Sequence, residues 1–106
     1  MAWVYLLAAG VFEVGFAVSL KESHGFSRLW PSLGVFVAGG LSLLLLSLAL
    51  RSLPIGSAYA VWTGIGAAGT ALVGIIVLGE SGNALKAASI AVIVAGVIGL
   101  RLTGGE

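Results

Sequence analysis

Cysteine is absent from the 106 residues, so neither a disulfide nor a thiolate metal site can form. Charge is nearly as scarce: Lys, Arg, Asp and Glu together make up 8% of the chain. A water-soluble domain carries about a quarter charged residues, because its surface must face water. So few charges cannot clothe a soluble globule. The formal net charge of +1 and sequence pI near 8.2 are too close to neutral to attract nucleic acid.

Apolar residues are what the chain has in plenty, at 59% with a mean hydropathy of +1.18. Its 17 glycines lack a three-residue period and sit among Leu, Ile, Val and Ala. Membrane helices tolerate glycine, and helix contacts within lipid favour it. The composition therefore predicts an integral membrane protein. One helical crossing takes roughly 20 residues, so about four crossings use most of the chain. Three tight turns and two short ends remain, with no room for a soluble domain.

Polar clusters and the two prolines, Pro31 and Pro54, divide the chain into apolar runs. Helices are expected over about 3–20, 30–50, 55–78 and 84–102, forming a single four-helix transmembrane domain across 1–106. Strands are disfavoured, because the runs show no sustained alternation and open sheet edges cannot face lipid. Met1-Ala2-Trp3 lacks the basic start of a secretory signal, so the first run is kept as a membrane helix despite Ala8-Ala9-Gly10. Four crossings put Arg51 and Arg101 on one side and Lys21, Arg28 and Lys86 on the other. Orientation follows the Lys/Arg imbalance. Here there is hardly any, and insertion in both orientations is expected.

Glu13 is the one charged side chain deep inside the expected spans, every other charge sitting in a loop or at a helix end where it can snorkel. A charge at mid-membrane costs at least about 2.5–3.5 kcal/mol, and intramembrane carboxylates commonly mark ion, proton or substrate paths. The plainer reading is a protonated structural acid bonded to a neighbouring helix. A chain this short offers no second carboxylate at that depth, and four thin helices enclose little volume. The cavity is therefore expected between two copies, whose paired Glu13 groups hold either protons or a cation. That competition couples the two movements, whereas cargo bound equally in both protonation states would not be coupled.

Leu6, Gly10, Glu13 and Ala17 share one helical face, with the small residues either leaving space or allowing close packing. In the third run, Tyr59, Trp62 and Gly66 recur at helical spacing. A Tyr59 hydroxyl would bond Glu13, and a Trp62 face would hold a cation by cation–π attraction. Ser42 is the central hydroxyl of the second run and a candidate donor behind the site. The glycine-dense stretch from Gly64 to Gly69 suits either a flexing helix or tight packing. Small residues Ala88, Ala91, Ala95 and Gly99 suggest an association surface on the last run. Glu80, flanked by Gly79 and Ser81-Gly82, is expected in water. His24 stands alone without metal-ligand partners, and no cofactor fingerprint or nucleophile constellation appears, so no enzyme activity is expected.

The segments GVFEVGFAVSLK, GFSRLWPS and LPIGSAYAVWTGIGAAG resemble the small multidrug resistance family over essentially the whole chain. The block from Leu53 to Gly69 and the following GESGNALKAASIAVIVAGVIGL look most like its guanidinium-exporter branch. The resemblance implies an antiparallel homodimer in the bacterial inner membrane that exchanges protons for guanidinium-type cations by alternating access. The balanced loop charges favour the same dual-topology assembly, a two-chain form of an inverted repeat. By resemblance, Glu13 binds both proton and substrate. Tyr59, Trp62 and Ser42 belong to its network, Gly10 matches the small residue one turn earlier, and Ser89, Ile93, Gly96 and Val97 lie in the dimer contact. Phe16 stands where the branch typically has Trp, so an indole N–H donor is lost there and selectivity is affected. The alternative cargo is a quaternary ammonium. More distant alternatives are a non-transporting membrane subunit and a channel.

Overall fold

The computed structural model describes residues 1–104 as four helices. They are α1 (Ala2–Glu22), α2 (Leu29–Ala49), α3 (Ile55–Ile76) and α4 (Ala84–Gly104). At about 1.5 Å per residue, helices of this length cover about 31–33 Å, matching the roughly 30 Å hydrocarbon layer. All four are long and apolar enough to cross a membrane.

Local chemistry sets their ends. Pro31 lies in the first turn of α2, where a missing N–H does no harm. Pro54 precedes α3 in an extended conformation, φ −62° and ψ 142°. The first helix continues through Lys21 and Glu22, two residues beyond expectation, until the buried Ser23 turns the chain. Ser23 Oγ donates to the Leu20 carbonyl at 2.7 Å and accepts the Phe26 amide at 3.1 Å. The third helix stops at Ile76 rather than near residue 78. Both the Val77 and Leu78 amides fold back to the Val73 carbonyl, at 2.8 and 3.2 Å. Gly79 then takes φ +73°, a conformation that costs glycine little.

The helices pack as a row, in the spatial order α2, α1, α3, α4. The principal extents are 42 × 34 × 17 Å. One helix with its side chains is about 10–12 Å across, so the molecule is a flat layer. Its core joins Leu6 and Ala9 of α1, Leu46 and Ala49 of α2, the turn residue Leu53, and Ala58, Val61 and Trp62 of α3. This cluster tightens the end of the row that holds the start of α1 and the turn into α3. Large apolar residues such as Phe36, Leu43 and Val92 face outward. That arrangement is unfavourable in water and natural in hydrocarbon.

Candidate functional site

Away from the core cluster, the second half of α1 and the rest of α3 bound a cleft of 590 Å³. Glu13, Ala17 and Lys21 line its α1 wall, and Thr63, Gly66, Ala67, Thr70 and Gly74 line the α3 wall. These positions recur every three or four residues, so each helix contributes one stripe. Small and hydroxyl side chains make the space. No bulky branched residue occupies the α3 stripe.

Glu13 reaches this cleft because Gly66 lies opposite it. A Cβ built on Gly66 would stand 2.7 Å from Glu13 Cγ and 3.4 Å from its Cβ. Real side chains do not approach that closely, so the absence of a side chain at 66 is what admits the glutamate. Glu13 is partly buried, midway along α1. No ion pair or backbone donor satisfies its carboxylate among the described residues.

Behind the cleft lies a fixed polar bridge. Trp62 Nε1 donates to Ser42 Oγ at 2.9 Å, and Ser42 Oγ donates to the Ala9 carbonyl at 2.7 Å. One fully buried hydroxyl therefore ties α1, α2 and α3 together. The same hydroxyl neighbours the Glu13 carboxylate. A hydroxyl has one hydrogen to donate, and here it goes to Ala9. Tyr59 packs on Trp62 with ring centroids 5.3 Å apart and remains 53% exposed, and, contrary to expectation, neither ring lines the Glu13 cleft.

The other anticipated positions fall into place unevenly. Gly10 is buried against α3, where an added Cβ would meet Ile65 Cγ2 at 2.5 Å, so its smallness serves helix contact rather than cavity space. Phe16 packs over Gly39 of α2 and does not line the cleft. The glycine-dense stretch of α3 is unbroken helix, with Gly64 against Val97 and Gly69 against Val14. That favours tight packing over a built-in kink. On α4, Ile93 and Val97 turn toward Gly64 of the same chain, while Ser89 and Gly96 are exposed.

The family described as Small Multidrug Resistance protein matches residues 1–93. The chain belongs to the small multidrug resistance family. Proteins named guanidinium exporter from Yersinia pestis and Shigella flexneri are 56% and 55% identical to it over 102 and 103 residues. One of the same name from Salmonella typhi is 53% identical over 103 residues. These alignments cover 96–97% of this chain and 98% of each relative. The family is one of transporters rather than enzymes.

The sequence reading did not single out Thr63, Thr70 and Gly74 as site residues, and it set Glu80 aside as solvated. The signal for the first three was present as a polar and small stripe at i, i+7 and i+11 on the third helix. Glu80 is exposed, as expected, and it also borders the mouth of the cleft. Its amide donates to the Gly74 carbonyl at 3.0 Å, which folds the residue back along α3.

Proposed function

We propose that the chain is a proton-coupled exporter of guanidinium or small substituted guanidinium cations, working by alternating access as an antiparallel homodimer. The observation that carries this reading is Glu13, the only carboxylate in the middle of a span, held against Gly66 in a cleft walled by hydroxyls and small residues. The naming of its relatives as guanidinium exporters supports the choice of cargo.

Guanidinium is planar, and its N–H groups match carboxylate oxygens in fork geometry. The hydroxyls of Thr63 and Thr70 on the facing wall accept further N–H donors. The Glu13 carboxylate takes either the cation or a proton. Cargo released on one side therefore leaves a group that is reset by protonation and emptied by the next cation. Ser42 and Trp62 hold the three helices in register behind the carboxylate, and the exposed Tyr59 donates to it when the dimer encloses the site.

The flat shape supports assembly in pairs. A row 17 Å thick leaves the cleft open along one face, and a charged cargo in a cleft open to lipid would be poorly solvated. A second copy closes it. In the antiparallel arrangement, the near-equal Lys and Arg content of the two sides lets each copy insert in its own orientation. The exposed Ser89 and Gly96 face of α4, with Ile93 and Val97 at its edge, forms the dimer contact. The location that follows is the bacterial inner membrane.

Reconstitution into liposomes with an imposed pH gradient tests the proposal. Guanidinium is expected to accumulate against its gradient as protons move the other way, and Glu13→Gln abolishes this. Downhill flux without proton exchange identifies a channel. Faster movement of tetra-alkylammonium than of guanidinium identifies a quaternary-ammonium exporter.

A further inference from the structure

The geometry points to Glu80 as the residue that collects the cation at the mouth of the Glu13 cleft, before the cargo reaches Glu13. This inference rests on the export reading above and adds the residue that governs access to its site.

Three observations carry it. First, the Glu80 side chain lies back over the end of α3. A Cβ built on Gly74 would fall 2.5 Å from Glu80 Oε1 and 2.8 Å from Cδ, so the carboxylate occupies space that glycine at 74 leaves open. The bond from the Glu80 amide to the Gly74 carbonyl and the positive φ of Gly79 set the same fold-back. Second, Glu80 lines the same cleft as Glu13, with Gly66 and Gly74 marking the two carboxylates along one helix face. Eight residues separate those glycines, a distance of about 12 Å at the helical rise. Third, this end of α3 is its C-terminus, where unpaired carbonyls already carry partial negative charge. A carboxylate gains nothing from that field, whereas a cation is drawn to both.

The nearby positive groups leave Glu80 free to act. The Lys86 ammonium is turned to the Ser81 carbonyl at 2.5 Å. Lys21 lines the opposite wall of the cleft. The mouth thus presents one carboxylate and a helix C-terminus against one ammonium, with Thr70 and Thr63 leading inward to Glu13. A cation entering there exchanges water for oxygen ligands in steps.

Initial-rate transport in proteoliposomes tests this, with guanidinium as the probe. At low ionic strength, Glu80→Gln is expected to raise KM about tenfold while kcat stays near wild type, as loss of an attracting charge predicts. The difference shrinks as salt is raised toward about 0.5 M, where screening acts within a few ångströms. Glu80→Asp recovers part of the lost affinity. Gly74→Ala, which shifts the carboxylate tip, raises KM by less than Glu80→Gln does, and the double variant shows no rise beyond Glu80→Gln. Wild-type KM in Glu80→Gln, or a fall in kcat with KM unchanged, overturns the inference while leaving the export reading intact. Failure of the wild-type protein to move guanidinium overturns both.

Discussion

Gly66 offers the most direct perturbation of the site. Replacing it with alanine adds one carbon, 2.7 Å from Glu13 Cγ and 3.9 Å from Cδ. The near atom belongs to the middle of the glutamate side chain, so the carboxylate swings away or α1 and α3 separate. Overpacking of this kind costs about 1–3 kcal/mol. If that cost falls on the cargo-binding geometry, affinity for guanidinium drops by about 5- to 150-fold, since each 1.4 kcal/mol is tenfold. Helix propensity acts in the opposite direction, because alanine stabilises a helix interior over glycine by about 0.5–1 kcal/mol. Lost function therefore cannot be ascribed to a weakened α3. The assay is guanidinium binding by calorimetry on detergent-purified protein, beside proteoliposome transport. Gly40→Ala is the control, because a Cβ there meets nothing within 4 Å. Gly66→Ala with wild-type affinity and transport would refute the claim that glycine at 66 is what seats Glu13.

Other outcomes follow from the same geometry. Ser42→Ala strands the buried Trp62 indole N–H and should destabilise the protein by about 1–3 kcal/mol; thermal unfolding in detergent checks this, with no loss sinking it. Gly10→Ala drives a carbon to 2.5 Å from Ile65 Cγ2 and is expected to lower the unfolding temperature, with rescue by Ile65→Ala. An additive double variant would show that the α1–α3 contact is not what glycine at 10 protects. Guanidinium binding should weaken as pH falls, because a protonated Glu13 carries no charge to pair with the cation. One competing proton gives a loss that approaches about tenfold per pH unit once the pH is well below the carboxyl's pKa. A flat affinity profile across pH would exclude exchange at this carboxylate.

Burial in this molecule divides between two kinds of surface. Leu6, Ala9, Val61 and Trp62 are hidden by their own chain, whereas Phe36, Leu43 and Val92 are covered only by what surrounds it. In lipid, an exposed leucine has little to gain from moving inward, so close packing of small residues and hydrogen bonds must set the helix order. Gly10 against Ile65, Gly69 against Val14 and the Ser42 bridge are those contacts. They explain why α1 is central, while α4 packs mainly on α3 and reaches α1 through Arg101 over the Trp3 ring.

Four spans, their approximate limits and the prominence of Glu13 were legible in the linear sequence. Hydropathy runs of about 20 residues and a lone charge within them are local properties, decided by the solvent rather than by neighbouring helices. The same reading found Ser42 and Trp62 as candidates, yet their hydrogen bond joins residues 20 apart and required α2 and α3 to be placed. Whether Gly10 made space or contact, and whether Phe16 faced the cleft or α2, depended on which helix lay opposite. Glu80 is the clearest case: its polar neighbours place it in water, where it is exposed, while only the turn at Gly79 brings it back over Gly74 to the cleft mouth. Composition and periodicity specify how a segment meets the membrane. Which side chains meet each other is a matter of helix order and register, and that emerged only when the row was assembled.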